Sequence, residues 1–310
     1  MCHKALKWAS KSGDLDLAGK ALGALHRVAQ SGNKNCSEAT RQFNGSYELF
    51  LSVGHGHISI VSLLLERTTV TARSTFDGTS PLVQAAKHGK DDIVRLLLTK
   101  YGARVNVRDW RGRSPLWWAA DRGYPRVVQA LTTSRTLKFN QEDFDLSENA
   151  LCRASSRGHG DIVLQLLQSG MVDPNSKTTS GKSPLVVAVK FERESIVKLF
   201  IHSGLVNVNI TDSSGKTALE WACRRGHYGI AKQLVQAGAD VSHIHNGMTP
   251  ILWAAYMFRY DIVSMMLELC PDKIGDNQRL LSQAARDGQH RFLQMTKLSA
   301  KKTAISRDEN

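Results

Sequence analysis

Apolar residues along this chain fall into two alternating patterns, both of helical period. The first is a short run in which a leucine is followed by an alanine pair three and four positions later, as in Leu82 with Ala85 and Ala86, or Leu116 with Ala119 and Ala120. The second begins about ten residues on and places apolar side chains on one stripe: Ile93, Val94, Leu97 and Leu98, or Ile162, Val163, Leu166 and Leu167. Each spacing gathers its apolar residues on one face of an α-helix. Polar breaks separate the runs. Ser or Thr followed by Pro, as at Ser114-Pro115 and Thr249-Pro250, predicts a helix cap and first turn. A glycine such as Gly123 ends the first run and predicts a turn into the second helix.

The pair of patterns recurs. Its anchoring residues are Leu6, Leu49, Leu82, Leu116, Leu151, Leu185, Leu219, Ile251 and Leu281. From Leu49 to Ile251 successive anchors lie 32 to 35 residues apart; the first interval is 43 and the last 30. A helix pair of that size cannot bury its apolar face alone, so the pairs are expected to stack into one quasi-continuous core with no second globular domain. Three segments break the period. Residues 27–44 read as an exposed insert, residues 132–145 replace the usual end of the third unit, and residues 297–310 form a polar tail expected to be disordered.

The segments "GTSPLVQAAKHG" (78–89), "GRSPLWWAADRG" (112–123), "GKSPLVVAVKFE" (181–192) and "GKTALEWACRRG" (215–226) carry a family resemblance. Their Gly-x-Thr-Pro-Leu start and Ala-Ala-x-x-Gly ending, with His57, His159 and His227 after the glycine, resemble the ankyrin repeat. The resemblance extends over about residues 3–296 as nine repeats with degenerate flanking copies. It implies an all-α solenoid of helix-turn-helix units joined by β-turn or hairpin loops, spanning residues 1–296. One departure stands out. The place after Pro-Leu, where the family commonly has a loop-bracing histidine, holds residues such as Val83, Trp117, Val186 and Leu252.

The chain has 310 residues, 42% hydrophobic and 22% charged, within the range of soluble globular proteins. No apolar run reaches membrane-spanning length, and MCHKALKWAS lacks the apolar centre of a signal peptide. The five cysteines are odd in number and scattered, which fits neither a disulfide framework nor a CxxC metal site. A reducing compartment, cytoplasm or nucleus, is the expectation. The net charge of +13 favours anionic partners.

Signatures of chemistry are weak. "SGKS" (180–183) and "SGKT" (214–217) resemble the end of a phosphate loop, but the glycine required upstream is replaced by Ser176 and Ile210. The pairs His55 with His57 and His243 with His245 each offer two metal ligands where a closed zinc site needs four. No HExxH, GxSxG or paired-carboxylate pattern occurs. No catalytic residue, metal or cofactor is expected.

In the family the first helix lines a concave face, and the two residues before the glycine point into it. Carried onto this chain, eight of those eighteen residues are Lys or Arg and two are acidic. Tryptophan stands five before the glycine at Trp8, Trp118, Trp221 and Trp253, on the same helical face as the basic pair. Such rings either pack between first helices or stand half-exposed beside cations. Trp118 should neighbour Arg122, and Trp221 should neighbour Arg224 and Arg225. The candidate partner-binding residues are Trp110, Arg111 and Arg113 at a turn tip, with Trp118, Arg122, Arg157, Lys190, Trp221, Arg224, Arg225, Trp253 and Tyr256 on the groove. The expected function is a monomeric, non-catalytic scaffold binding an acidic protein or peptide. Two alternatives remain open: a small-molecule binder or unusual enzyme using Asp121, Glu220, Tyr256 and the tryptophans, and a nucleic-acid binder using the basic face.

Overall fold

The computed structural model describes residues 2–30, 45–133 and 150–270. The ninth anchor at Leu281, most of the insert and the altered connection, and the tail lie outside the described residues. Among those described there are sixteen α-helices, and the only β-pairing is two isolated bridges. The helices are α1 Cys2–Ser12, α2 Leu15–Gln30, α3 Ser46–His55, α4 Ile58–Arg67, α5 Pro81–Lys87, α6 Asp91–Thr99, α7 Pro115–Arg122 and α8 Pro125–Thr132. They continue with α9 Ala150–Arg157, α10 Gly160–Ser169, α11 Pro184–Lys190, α12 Glu194–Ser203, α13 Ala218–Arg225, α14 Tyr228–Gln236, α15 Pro250–Tyr256 and α16 Tyr260–Leu269. The α2 helix continues through residues 27–30, which the sequence reading assigned to the insert; its Ala- and Leu-rich run favours helix.

The chain divides into two compact units, Met1–Ala154 with Gln168–Met171, and Ser155–Leu167 with Val172–Asn310. Each is a stack of helix pairs. In the first, the leading helices α1, α3, α5 and α7 pack in sequence, and each leans on the second helix of its own pair. In the second, α11, α13 and α15 do the same, backed by α12, α14 and α16. Leading helices of seven or eight residues, such as α5 and α7, are too short to persist alone in water. Fully buried Leu82, Ala85, Ala86, Ala119 and Ala120 supply the contact that holds them. The second stripe is equally dry, with Ile93, Val94, Leu97, Ile196, Val197 and Phe200 at the centre.

Local chemistry sets the helix ends. Ser80, Ser114, Ser183 and Thr217 accept from the backbone N–H three residues on, and each begins a leading helix. Thr249 does not follow the expected pattern: it precedes α15 without a side-chain cap bond, and its hydroxyl is buried without a partner. The glycine after the leading helix is required twice over. Gly226 has φ +81°, and a Cβ there would lie 2.7 Å from the Arg259 side chain, which covers the turn from the next repeat. Gly89 is covered in the same way by Tyr124. Two repeats lack this glycine, so Glu192 and Phe258 occupy the left-handed region at φ 55° and 59°.

The loops are braced without the family's usual histidine. Asn175 Oδ1 accepts from Asn207 N at 2.7 Å and Asn209 Oδ1 from Asp240 N at 2.8 Å, linking successive turns. Asp77-Gly78 and Asn246-Gly247 have positive φ at both positions, inside the bridges Phe76–Thr79 and His245–Met248. That is the chemistry of a tight hairpin turn.

Glu192 therefore stores strain, and its 3.5 Å pairing with His227 gives little in return because the carboxylate is largely exposed. Burial, outweighing the pull of Glu192, also holds the His227 imidazole below its ordinary range. Glu192→Gly is expected to raise stability by about 0.5–1 kcal/mol, the difference between relieved left-handed strain and glycine's entropy. A shift of the urea midpoint to higher concentration checks this.

Candidate partner-binding site

The first unit gathers its candidates around one carboxylate. Asp109 opens the turn before α7, and its Oδ1 accepts from the amides of Arg111 and Arg113, both at 2.9 Å. Its Oδ2 accepts from Arg113 Nε at 2.9 Å and from the Trp118 indole N–H at 3.0 Å. Burial raises the Asp109 carboxyl pKa, but bonds from the Arg113 amide, the Trp118 indole and the Arg111 amide, with the Arg113 charge, outweigh it. The net result lies below the ordinary carboxylate range. The Trp118 ring, only 6% exposed, is covered by cations. Arg113 lies 4.1 Å from its centroid, Lys87 4.9 Å and Arg122 5.7 Å. Trp117 meets Trp118 edge-on and has Arg153 at 4.8 Å, with Arg153 Nε bonded to Asp121 at 2.7 Å. Trp110 is 66% exposed at the turn tip, its ring faced by Arg111 at 4.3 Å.

The second unit repeats the theme. Asp212 Oδ1 accepts from the Ser214 and Lys216 amides, and Oδ2 from the Trp221 indole at 2.9 Å. Burial raises the Asp212 carboxyl pKa as well, and the Ser214 hydroxyl, the Lys216 amide, the Trp221 indole and the Ser214 amide together bring it below its ordinary value. Lys216 and Arg225 lie 5.3 and 5.6 Å from the half-buried Trp221 ring. Arg224 goes elsewhere than expected. It stacks on Trp253 of the next repeat at 4.0 Å and reaches buried Glu220 at 3.3 Å, which also pairs with His245 at 3.0 Å. Trp253 is buried and meets half-exposed Tyr256 edge-on. Lys190 ends α11 with its ammonium 5.8 Å from the Phe191 ring. Arg157 ends α9 on the surface.

The other sequence candidates have local roles. The SGK fragments form tight turns closed by Gly181 N to Thr178 O and Gly215 N to Asp212 O. His57 bonds the Lys11 carbonyl and His243 the Gly215 carbonyl, both at 2.9 Å, so these rings tie neighbouring repeats. Sequence reasoning missed the two aspartates. The signal was present: "DWRGRSPLWW" and "DSSGKTALEW" share Asp, Gly, a cation and Trp at identical spacing.

One regularity concerns helix ends. The last turns of α1, α5, α7, α9, α11 and α13 carry Lys or Arg, and that of α3 carries His55. Among second helices, α6, α8, α10, α14 and α16 carry no basic residue there, whereas α4 ends with Arg67 and α12 has His202 in its last turn; the leading helix α15 carries none.

The description "Ankyrin repeats (3 copies)" matches residues 3–109, 49–145, 151–245 and 206–278. The chain belongs to the ankyrin-repeat family. This ankyrin-repeat protein is 34% identical over 198 residues to the probable E3 ubiquitin-protein ligase XBOS33 of Oryza sativa subsp. japonica, a match covering 59% of this chain and 36% of that protein. It is 35% identical over 114 residues to the B-cell lymphoma 3 protein homolog of Mus musculus, covering 36% of this chain and 25% of the other. It thus matches only about a third or less of the length of these relatives. Among solved structures, the ankyrin repeat domain of Bcl-3 superposes with a TM-score of 0.62 at 27% identity, over 70% of this chain and 96% of that one. The human ASB11 ankyrin repeat domain gives 0.61 at 22% identity, over 71% and 96%, a likeness of fold alone. Ankyrin repeats generally mediate protein–protein interaction. No helix among the described residues is long and apolar enough to cross a membrane.

The aspartate braces set an acid limit. Their native pKa values are depressed, so their stabilisation is complete above the ordinary carboxylate value of 3.8 and fades as pH falls through the lowered values. Asp212→Asn, which turns an amide toward the indole N–H, should cost about 1–3 kcal/mol at neutral pH. Urea midpoints measured from pH 7 to pH 2 should fall less steeply in Asp212→Asn than in the wild type.

Proposed function

We propose that this chain is a non-catalytic interaction scaffold that holds an acidic peptide or protein surface on the ends of its leading helices. The observation that carries this reading is the contrast between helix ends. A helix C-terminus favours a cation whatever its surroundings, by about 0.3–1 kcal/mol. If the helix dipole alone placed the basic residues, the second helices would carry them too, and five of these do not. The Lys and Arg residues sit instead mainly on leading helices, Arg67 of α4 being the exception, and Lys87, Arg122, Arg224 and Arg225 lie over tryptophan rings that orient them.

A guanidinium lying on an indole face keeps its N–H edge for a carboxylate. Stacking also removes side-chain freedom before the partner arrives, which lowers the entropic cost of binding. Arg122 and Arg225 are the central contacts in this reading, with Arg113, Lys87 and Lys216 shaping the field around them. Arg224, held by Glu220, acts by positioning Trp253. The buried thiols of Cys152 and Cys223 favour a reducing compartment, cytoplasm or nucleus.

Reversing both central charges, Arg122→Glu with Arg225→Glu, should weaken capture of the native partner at least tenfold in a quantitative pull-down, with the circular dichroism spectrum unchanged. Undiminished capture would count against the leading-helix ends. Retained binding to random DNA at low salt by the wild type, with a steep salt dependence, would move the assignment to nucleic acid.

A further inference from the structure

Two of the described repeats carry one constellation at identical spacing. Asp109, Arg113, Trp118 and Arg122 in the first unit correspond to Asp212, Lys216, Trp221 and Arg225 in the second. In each, the aspartate takes the indole N–H on one oxygen and two main-chain amides on the other. In each, the arginine four residues after the tryptophan lies over its ring, at 5.7 and 5.6 Å.

The fold does not demand this arrangement. Thr178 and Val187 hold the Asp and Trp places in one repeat, and Ile244 holds the Asp place in another. In that last repeat the Trp253 indole nitrogen is buried without a partner. The brace is therefore an addition in two places, and both additions orient an exposed arginine.

Those two arginines are lightly engaged. Arg122 is 51% exposed, and its nearest carboxylate, Asp121, is 3.9 Å away, beyond hydrogen-bond reach. Arg225 makes no ion pair with a described residue. Around the first-unit copy the cations Lys87, Arg113 and Arg122 gather over one ring, with Asp109 and Asp121 as the carboxylates beside them. Burial holds the nearby His88 imidazole below its ordinary range, and Lys87, Lys90, Arg122 and His55 push it further the same way.

We infer that the chain carries two separate carboxylate-binding sites, one in each unit, each taking one acidic peptide segment at the edge of a tryptophan-stacked arginine. This rests on the acidic-partner reading and adds a count and an address to it. Peptide carboxylates fit better than nucleic acid because the Trp118 and Trp221 faces are already covered by cations, leaving no platform there for a base. The first site, with Lys87 beside its arginine, is the more salt-sensitive of the two.

The test is isothermal titration of the full chain with a hexaglutamate peptide at low salt. The wild type should bind two peptides. Arg122→Gln and Arg225→Gln should each leave one, weakening the lost site by at least about tenfold, the scale of one charge-assisted hydrogen bond. The double variant should bind none, and Lys232→Gln, on the exposed side of α14, should keep both. A wild-type stoichiometry of one, or single variants that leave the count unchanged, overturns the two-site inference while the acidic-partner reading stands. No binding by the wild type removes that reading as well. Displacement of the peptide by an equal concentration of inorganic phosphate or oligothymidylate overturns the carboxylate assignment in favour of a generic anion site.

Discussion

The close approach of successive leading helices is the contact on which everything else rests. A helix of seven residues, such as α5, has no stability of its own. It exists because Ala85 and Ala86, and in the next repeat Ala119 and Ala120, are small enough to let backbones meet and are wholly removed from water. The same contact fixes where each helix ends. The turn glycine receives a side chain from the following repeat, so one repeat's last turn is completed by its neighbour. Position along the stack, rather than any local pocket, determines which side chains share a surface.

That arrangement explains why the basic residues can be organised at low cost. In the first unit Lys87 and Arg122, from successive leading helices, lie over the same Trp118 ring. Like charges gathered in this way repel one another if left unsupported. Each unit also places a carboxylate among its cations. Asp109 neutralises Arg113 and Glu220 engages Arg224, while Arg122 and Arg225 stay at the surface. The braces thus lower the net positive charge while fixing the geometry of what remains.

Much of this was legible in the sequence, and the exceptions have physical causes. Repeat period, paired helices, serine caps and turn glycines are local properties, and local spacing reports them. Thr249 fails as a cap although the Thr-Pro pair is present, because a cap depends on a side-chain rotamer that sequence does not show. Glu192 and Phe258 adopt glycine's conformation because the stack imposes the turn on whatever residue stands there. Arg224 was expected beside Trp221 and lies on Trp253, since the ring it meets belongs to another repeat. The Asp-to-Trp bond spans nine residues across a turn and a helix start, a separation that no helical periodicity marks.

The indole N–H decides how the tryptophans act. A free indole would offer a donor and compete for the same carboxylate that the arginine is placed to bind. With Asp109 or Asp212 accepting that proton, the indole has no donor left to offer a partner. What remains is a polarisable face, which attracts a guanidinium but cannot bond a carboxylate. The ring becomes a support and the cations around it the donors, with the exposed arginine edge foremost among them. Trp253 shows the opposite case. Its N–H has neither aspartate nor solvent, and the arginine above it is tied down by Glu220, so this repeat contributes packing and an exposed tyrosine rather than charge.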